Sequence, residues 1–261
     1  MKKDEIMKPK YLFYEVRGNG PPILFLHGLG MKKQVWEPII EQLKDRFLCI
    51  SIDLLGFGEN RASEECERIL FDQWIDQVQE LLQKISLTKI HLVGHSLGSF
   101  IALAFASKYP SACSSVTAIS TLPEFNQAMT DAFEQRALQV EIFGLNGIID
   151  DLIKVGFSKE TLENRPDIVK KYKEIICSNT AAQYALCCRS VANLNNYSLL
   201  NRITTPVQLI VGLDDKITPP ALSEIVREWI PRCKMYALEG SGHQVHMEKP
   251  EEIAKIVSDF L

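Results

Sequence analysis

KIHLVGHSLGSFIALAFASKYP, running from Lys89 to Pro110, is the stretch whose reading decides the fold of this chain. Ile90, Leu92 and Val93 form a short apolar run with a β-branched residue, which predicts a strand. From Leu97 to Ala106 the residues are mostly helix formers with apolar positions three and four apart. Only Gly94-His95-Ser96-Leu97-Gly98 lies between, so strand passes into helix across a single turn. The five residues fit G-x-S-x-G. A serine at so tight a corner sits on strained backbone close to its neighbours, and glycines on both sides remove the Cβ atoms that would collide. The corner lifts the Ser96 hydroxyl out of the sheet, and the first amides of the new helix point at whatever lies beside it. The arrangement reads as a nucleophile mounted next to anion-stabilising donors. The pentapeptide alone also occurs in ordinary Gly/Ser turns; the strand before it, the helix after it and partners further along separate the two readings.

Working outward, the N-terminal side repeats the same alternation. Tyr11–Val16 has strand composition and ends in the turn residues Arg17 to Pro22. Ile23–Leu26 is an unbroken apolar run, the pattern of a strand buried on both faces, and stops at His27-Gly28-Leu29-Gly30. Trp36–Asp45 has helical spacing, Phe47–Ile52 is another buried strand ending at Asp53-Leu54-Leu55-Gly56-Phe57-Gly58, and Phe71–Ile85 places its large apolar residues on one helical face. Beyond the serine helix, Ser114–Ile119 is one more strand. Strands alternating with helices predict an α/β fold, a mostly parallel doubly wound sheet covered on both sides. Ligands of such sheets lie beyond the carboxyl ends of the strands, where His27, Asp53 and Ser96 would gather.

From about Thr121 to Leu200 the rhythm changes to helices only: Ala132–Phe157, Pro166–Cys177 and Ala181–Leu194, broken by Gly144, Gly147, Gly156 and Arg165-Pro166. That block is too long for a simple crossover and reads as an insertion. The expected division is a core of residues 1–120 and 201–261 with an inserted unit at 121–200. The sheet resumes at Val207–Val211, followed by a helix over Pro220–Ile230, a strand over Lys234–Leu238, the loop Glu239-Gly240-Ser241-Gly242-His243 and a closing helix over Glu251–Leu261.

Composition sets bounds on the function. The formal net charge is −4, with 24% charged and 46% hydrophobic residues, and there is no basic cluster to suit a phosphate backbone, so nucleic acid is not an expected partner. MKKDEIMKPK carries Asp4 and Glu5 and lacks the apolar core of a signal peptide, and no run of about 18 apolar residues follows. The expectation is a cytoplasmic protein without a membrane span. The seven cysteines are scattered and without C-x-x-C spacing. They predict neither a disulfide framework nor a metal site, but buried thiols acting as small apolar residues.

A serine hydroxyl needs a base within hydrogen-bond reach, itself oriented by a third group. His243, after the last strand, and Asp215, after the one before, are placed for those roles at the same sheet edge. Asp214 is the neighbouring alternative to Asp215, and His246 the alternative to His243.

With G-x-S-x-G between strand and helix and these partners in the order Ser96, Asp215, His243, nearly the whole chain resembles the α/β-hydrolase superfamily, in particular its capped, cofactor-free serine hydrolases and carboxylesterases. The resemblance implies that residues 121–200 are a helical cap. The family spacing G-x-x-D-x-x-x-P falls on Gly212, Asp215 and Pro219, and the ending G-H…E-x-P on Gly242-His243, Glu248 and Pro250. The implied triad is Ser96, Asp215 and His243, with the backbone N–H groups of Leu97 and of Leu29 in the H-G-x-G loop as oxyanion donors. His27, His95 and His246 are then pocket or supporting residues, His27 pinning its own loop; His91 is structural. The D-x-x-G-x-G loop at Asp53 is architectural, since no Lys-Ser/Thr follows as a phosphate-binding loop requires. Serine at the nucleophile position argues against dehalogenases and epoxide hydrolases, which use aspartate.

The resulting expectation is an esterase-like hydrolase of class EC 3.1.1. It would act without cofactor or metal on a small acyl substrate with an apolar part, as a monomer or homodimer. Carbon–carbon bond hydrolase, thioesterase, lactonase and menaquinone-pathway-like lyase share the same triad. A small-molecule receptor on the same fold is the alternative from another class.

Overall fold

A computed structural model describes residues 12–192 and 194–261. Among them seven strands form one sheet: β1 (Tyr14–Arg17), β2 (Pro22–Leu26), β3 (Leu48–Ile52), β4 (Ile90–His95), β5 (Cys113–Ile119), β6 (Val207–Gly212) and β7 (Lys234–Leu238), in the order β1-β3-β2-β4-β5-β6-β7. Only β1 is antiparallel, paired with β3 at the edge; every other neighbouring pair is parallel. The expected α/β architecture with a mostly parallel sheet is what the chain adopts. The inner strands are buried along nearly their whole length, which is why they read as continuous apolar runs.

Helices α1 (Glu37–Leu43), α2 (Phe71–Lys84) and α3 (Leu97–Lys108) connect the first strands. In α3 every residue from Leu97 to Ala106 is buried, because the sheet covers one side and α2 and the helices beyond β5 cover the others. Between β5 and β6 come α4 (Gln127–Phe143), α5 (Ile149–Gly156), α6 (Lys159–Asn164), α7 (Pro166–Cys177), α8 (Ala181–Val191) and α9 (Tyr197–Leu200). The chain ends through α10 (Pro220–Trp229), α11 (Val245–Glu248) and α12 (Pro250–Phe260).

Departures from the sequence reading are local. Tyr11, the first residue of the expected first strand, and the N-terminal MKKDEIMKPK lie outside the described residues. The Trp36–Asp45 helix is instead a 3-10 turn over Lys33–Trp36 leading into α1, with Pro38 at the start, where its missing N–H costs nothing. Helix α4 begins at Gln127 because the Asn126 side chain caps it, accepting from the Met129 amide at 3.0 Å. Helices α6, α9 and α11 are too short to leave a periodic signature. Cys49, Cys113, Cys187 and Cys188 are buried and unbridged, and burial pushes the Cys49 and Cys113 thiols up to about 12. No helix among the described residues is long and apolar enough to cross a membrane.

Candidate active site

Ser96 caps the junction of β4 and α3 with φ 51° and ψ −114°, a backbone state that side-chain-bearing residues rarely adopt and that costs about 1–3 kcal/mol. The flanking glycines show why it is tolerated. A Cβ at Gly94 would lie 2.2 Å from the Gly98 carbonyl oxygen, and one at Gly98 would lie 2.1 Å from the Leu26 carbonyl oxygen. The corner is therefore clamped against its own helix and against the end of β2.

The candidate acid and base stand beyond the ends of β6 and β7. His243 Nδ1 donates to Asp215 Oδ2 at 2.9 Å, and both residues are buried. Asp215 Oδ1 accepts the Ile217 and Thr218 amides at 2.9 and 2.8 Å, while the Thr218 hydroxyl donates to Oδ2 at 2.8 Å and lies 3.1 Å from His243 Nδ1. Burial would raise the Asp215 pKa, but the imidazole and the Thr218 donors outweigh it and hold the carboxyl below its ordinary range. With Nδ1 committed as a donor, Nε2 is left as the acceptor. Asp214 is exposed; its amide donates to the Ser241 carbonyl at 2.9 Å and so joins the acid loop to the base loop. Glu248 grips the base loop from below, accepting the amides of Gly242 at 2.7 Å and Ser158 at 2.9 Å.

The loop after β2 supplies the other wall. His27 donates through Nδ1 to the Gly28 carbonyl at 2.8 Å and accepts the Leu54 amide at Nε2 at 3.0 Å, a neutral tautomer; burial lowers its pKa to about 4. Asp53 accepts from the Lys33 amide, the Lys33 ammonium and the Glu59 amide, so the two glycine loops brace one another. A Cβ at Gly58 would strike the Asp53 carboxylate at 2.2 Å. Among the described residues the N–H groups of Leu29 and Leu97 make no hydrogen bond, and both residues border the cavity at Ser96. Two free donors beside a raised hydroxyl can hold a developing oxyanion.

His95 donates through Nε2 to the His243 carbonyl at 2.8 Å, and Ser120, at the end of β5, donates to the same oxygen at 3.2 Å. His95 stacks between His243 and His246, with ring centres 4.9 and 4.0 Å away, and His246 lies 5.0 Å from the Trp36 ring. His246 is fully buried, is directed into this stack, and has neither ring nitrogen paired among the described residues. His91 Nδ1 meets the Ser115 hydroxyl away from the site.

Two cavities meet at Ser96. One, with about 470 Å³ of empty space partly open to solvent, is walled by Leu97, Phe100, Leu122, Phe125, Met129 and Leu194. The other, about 380 Å³, holds Ser96 and His243 together with Arg136, Tyr172, Tyr184 and Gln244. Three apolar residues between β5 and β6, Phe125, Met129 and Phe133, face the site, Phe133 bordering both cavities. Thr218, Ser120, Arg136 and Tyr184 escaped the sequence reading. Only Thr218 had a local signal, a hydroxyl three residues after a turn aspartate. Among the described residues no group of three His, Cys, Asp or Glu side chains could hold a metal ion.

Comparison with known proteins agrees with this fold. A family model described as alpha/beta hydrolase fold matches residues 21–250. The chain is 27% identical to 3-oxoadipate enol-lactonase 2 of Acinetobacter baylyi, over 88% of this chain and 85% of that one. It is 25% identical to the monoacylglycerol lipase ABHD6 of Homo sapiens, over 96% and 78%. Among solved structures, a thermophilic esterase from Thermogutta terrifontis with malate bound superposes with a TM-score of 0.89 at 26% identity, covering 95% of this chain and 92% of that one.

Proposed function

The chain belongs to the α/β-hydrolase fold family, and from that membership we propose that it hydrolyses carboxylic esters, lactones included, through an acyl-enzyme on Ser96. The observation that carries the reading is that His243, bonded to Asp215, shares one cavity with a serine held at positive φ. Ser96 Oγ attacks the substrate carbonyl and His243 Nε2 takes its proton. The tetrahedral oxyanion forms against the amides of Leu29 and Leu97, each such donor being worth about 3 kcal/mol of barrier. Collapse expels the alcohol, which receives the proton from His243. Water, deprotonated by the same imidazole, then cleaves the acyl-serine ester and releases the acid, restoring the hydroxyl. Asp215 orients the imidazole and balances its transient charge.

The helices between β5 and β6 act in this reading as a cap that walls both cavities. The enol-lactonase and lipase names of two relatives support ester-type substrates, a lactone being a cyclic ester. The test is labelling by a fluorophosphonate together with turnover of short and medium nitrophenyl esters. Ser96→Ala is expected to abolish both. Tight ligand binding by a protein whose serine never labels would instead favour a receptor.

A further inference from the structure

The second cavity contains a charge that the ester chemistry does not use. Arg136, on α4, shares this cavity with Ser96 and His243. Its guanidinium stands 4.6 Å from the centre of the Phe133 ring and interacts with the Tyr184 phenol. Among the described residues Arg136 makes no ion pair: of the three acids on its own helix, Glu134 and Glu141 are engaged by Arg189, and Asp131 accepts from the Gln127 side chain. No carboxylate lines the cavity, and the nearby Asp215 is taken up by His243 and Thr218. Arg136 is half-buried, and a guanidinium partly withdrawn from water with no counter-charge beside a reaction centre favours an anion that arrives with the ligand. The buried Tyr172 and Tyr184 hydroxyls, kept protonated because burial raises both phenols, add donors on the same wall. The first cavity, by contrast, is almost wholly apolar.

Resting on the ester-hydrolase reading, we infer that the second cavity is a carboxylate subsite, so that the substrate is an ester carrying an ionised carboxylate toward Arg136 and a hydrocarbon part in the apolar cavity, with its scissile carbonyl at Ser96. The planar fork of one guanidinium matches the two oxygens and single charge of a carboxylate. A phosphate monoester would bring nearly two charges to one cation.

The test compares isosteric pairs in both orientations: hexyl hydrogen glutarate against hexyl methyl glutarate, read by hexanol release, and 4-(hexanoyloxy)butanoate against its methyl ester, read by hexanoate release. In at least one orientation the anionic member should be preferred by about tenfold or more in kcat/KM. That preference should collapse toward unity in Arg136→Gln, chiefly through KM, and persist in part in Arg136→Lys. In the wild type, added salt should raise KM for the anionic ester alone. A wild type that prefers the neutral member in both orientations, or a folded Arg136→Gln that keeps the anionic preference, would overturn the subsite. Should Arg136→Gln fail to fold, the wild-type preference and its salt dependence decide. If no ester turns over and Ser96 does not label, the hydrolase reading falls by itself. Calorimetry with hexyl hydrogen glutarate then reads the subsite directly: binding weakened in Arg136→Lys and by salt supports it, and binding indifferent to both refutes it.

Discussion

Asp215 shows how much a single carboxylate is asked to do. Two amides fix Oδ1 and a hydroxyl and an imidazole share Oδ2, so the orientation of His243 is set by groups within three residues of the acid. Asp215→Asn should lower kcat by about 10²–10⁴, since an amide no longer enforces the productive tautomer. Thr218→Val, which removes one support from Oδ2, should cost about tenfold. Asp214→Asn should leave kcat/KM within about twofold; a large loss there with a mild one at Asp215 would reverse the assignment. From sequence, the spacing after Gly212 made Asp215 legible once the family resemblance was in view. Arg136 was illegible, because an arginine on an amphipathic helix looks the same whether it meets water or a cavity.

At the scale of elements, the strand-turn-helix unit was readable because its constraint is local: the residues that must lack a Cβ adjoin the residue that is strained. Gly98→Ala tests this. Its new methyl group would press on the Leu26 carbonyl, so the variant should lose several kcal/mol of stability or, if it folds, label far more slowly with a fluorophosphonate, as thermal melts and labelling rates would reveal. Wild-type stability and labelling would contradict the clamp. The buried strands were likewise legible from composition. The helices between β5 and β6 were only partly so, since caps such as Asn126 and Ser158 set their ends, and tertiary contacts decide which apolar face covers the site.

For the molecule as a whole, three buried neutral histidines make acid the vulnerable side. Desolvation lowers His27 to about 4 and His246 to about 3, and places His95 well below its ordinary 6.5. The unfolded chain takes up these protons first, so their contribution to stability is intact above pH 6.5 and declines as pH falls toward 4 and then 3. Asp215, whose pKa is also lowered on folding, adds to the loss at still lower pH. The melting temperature should therefore drop steadily from pH 7 to 4, and less steeply in His246→Phe, which removes one such group from the stack. A flat profile, or an unchanged slope in the variant, would contradict it.

Glu248 ties two regions of the chain to one side chain, with the amide before His243 on one oxygen and the amide that opens α6 on the other. A swing of α6 at that joint would pull the loop of His243 with it. On the ester-hydrolase reading, α6 and the loop that carries His243 therefore keep or lose their places together, with one carboxylate as the pin common to both.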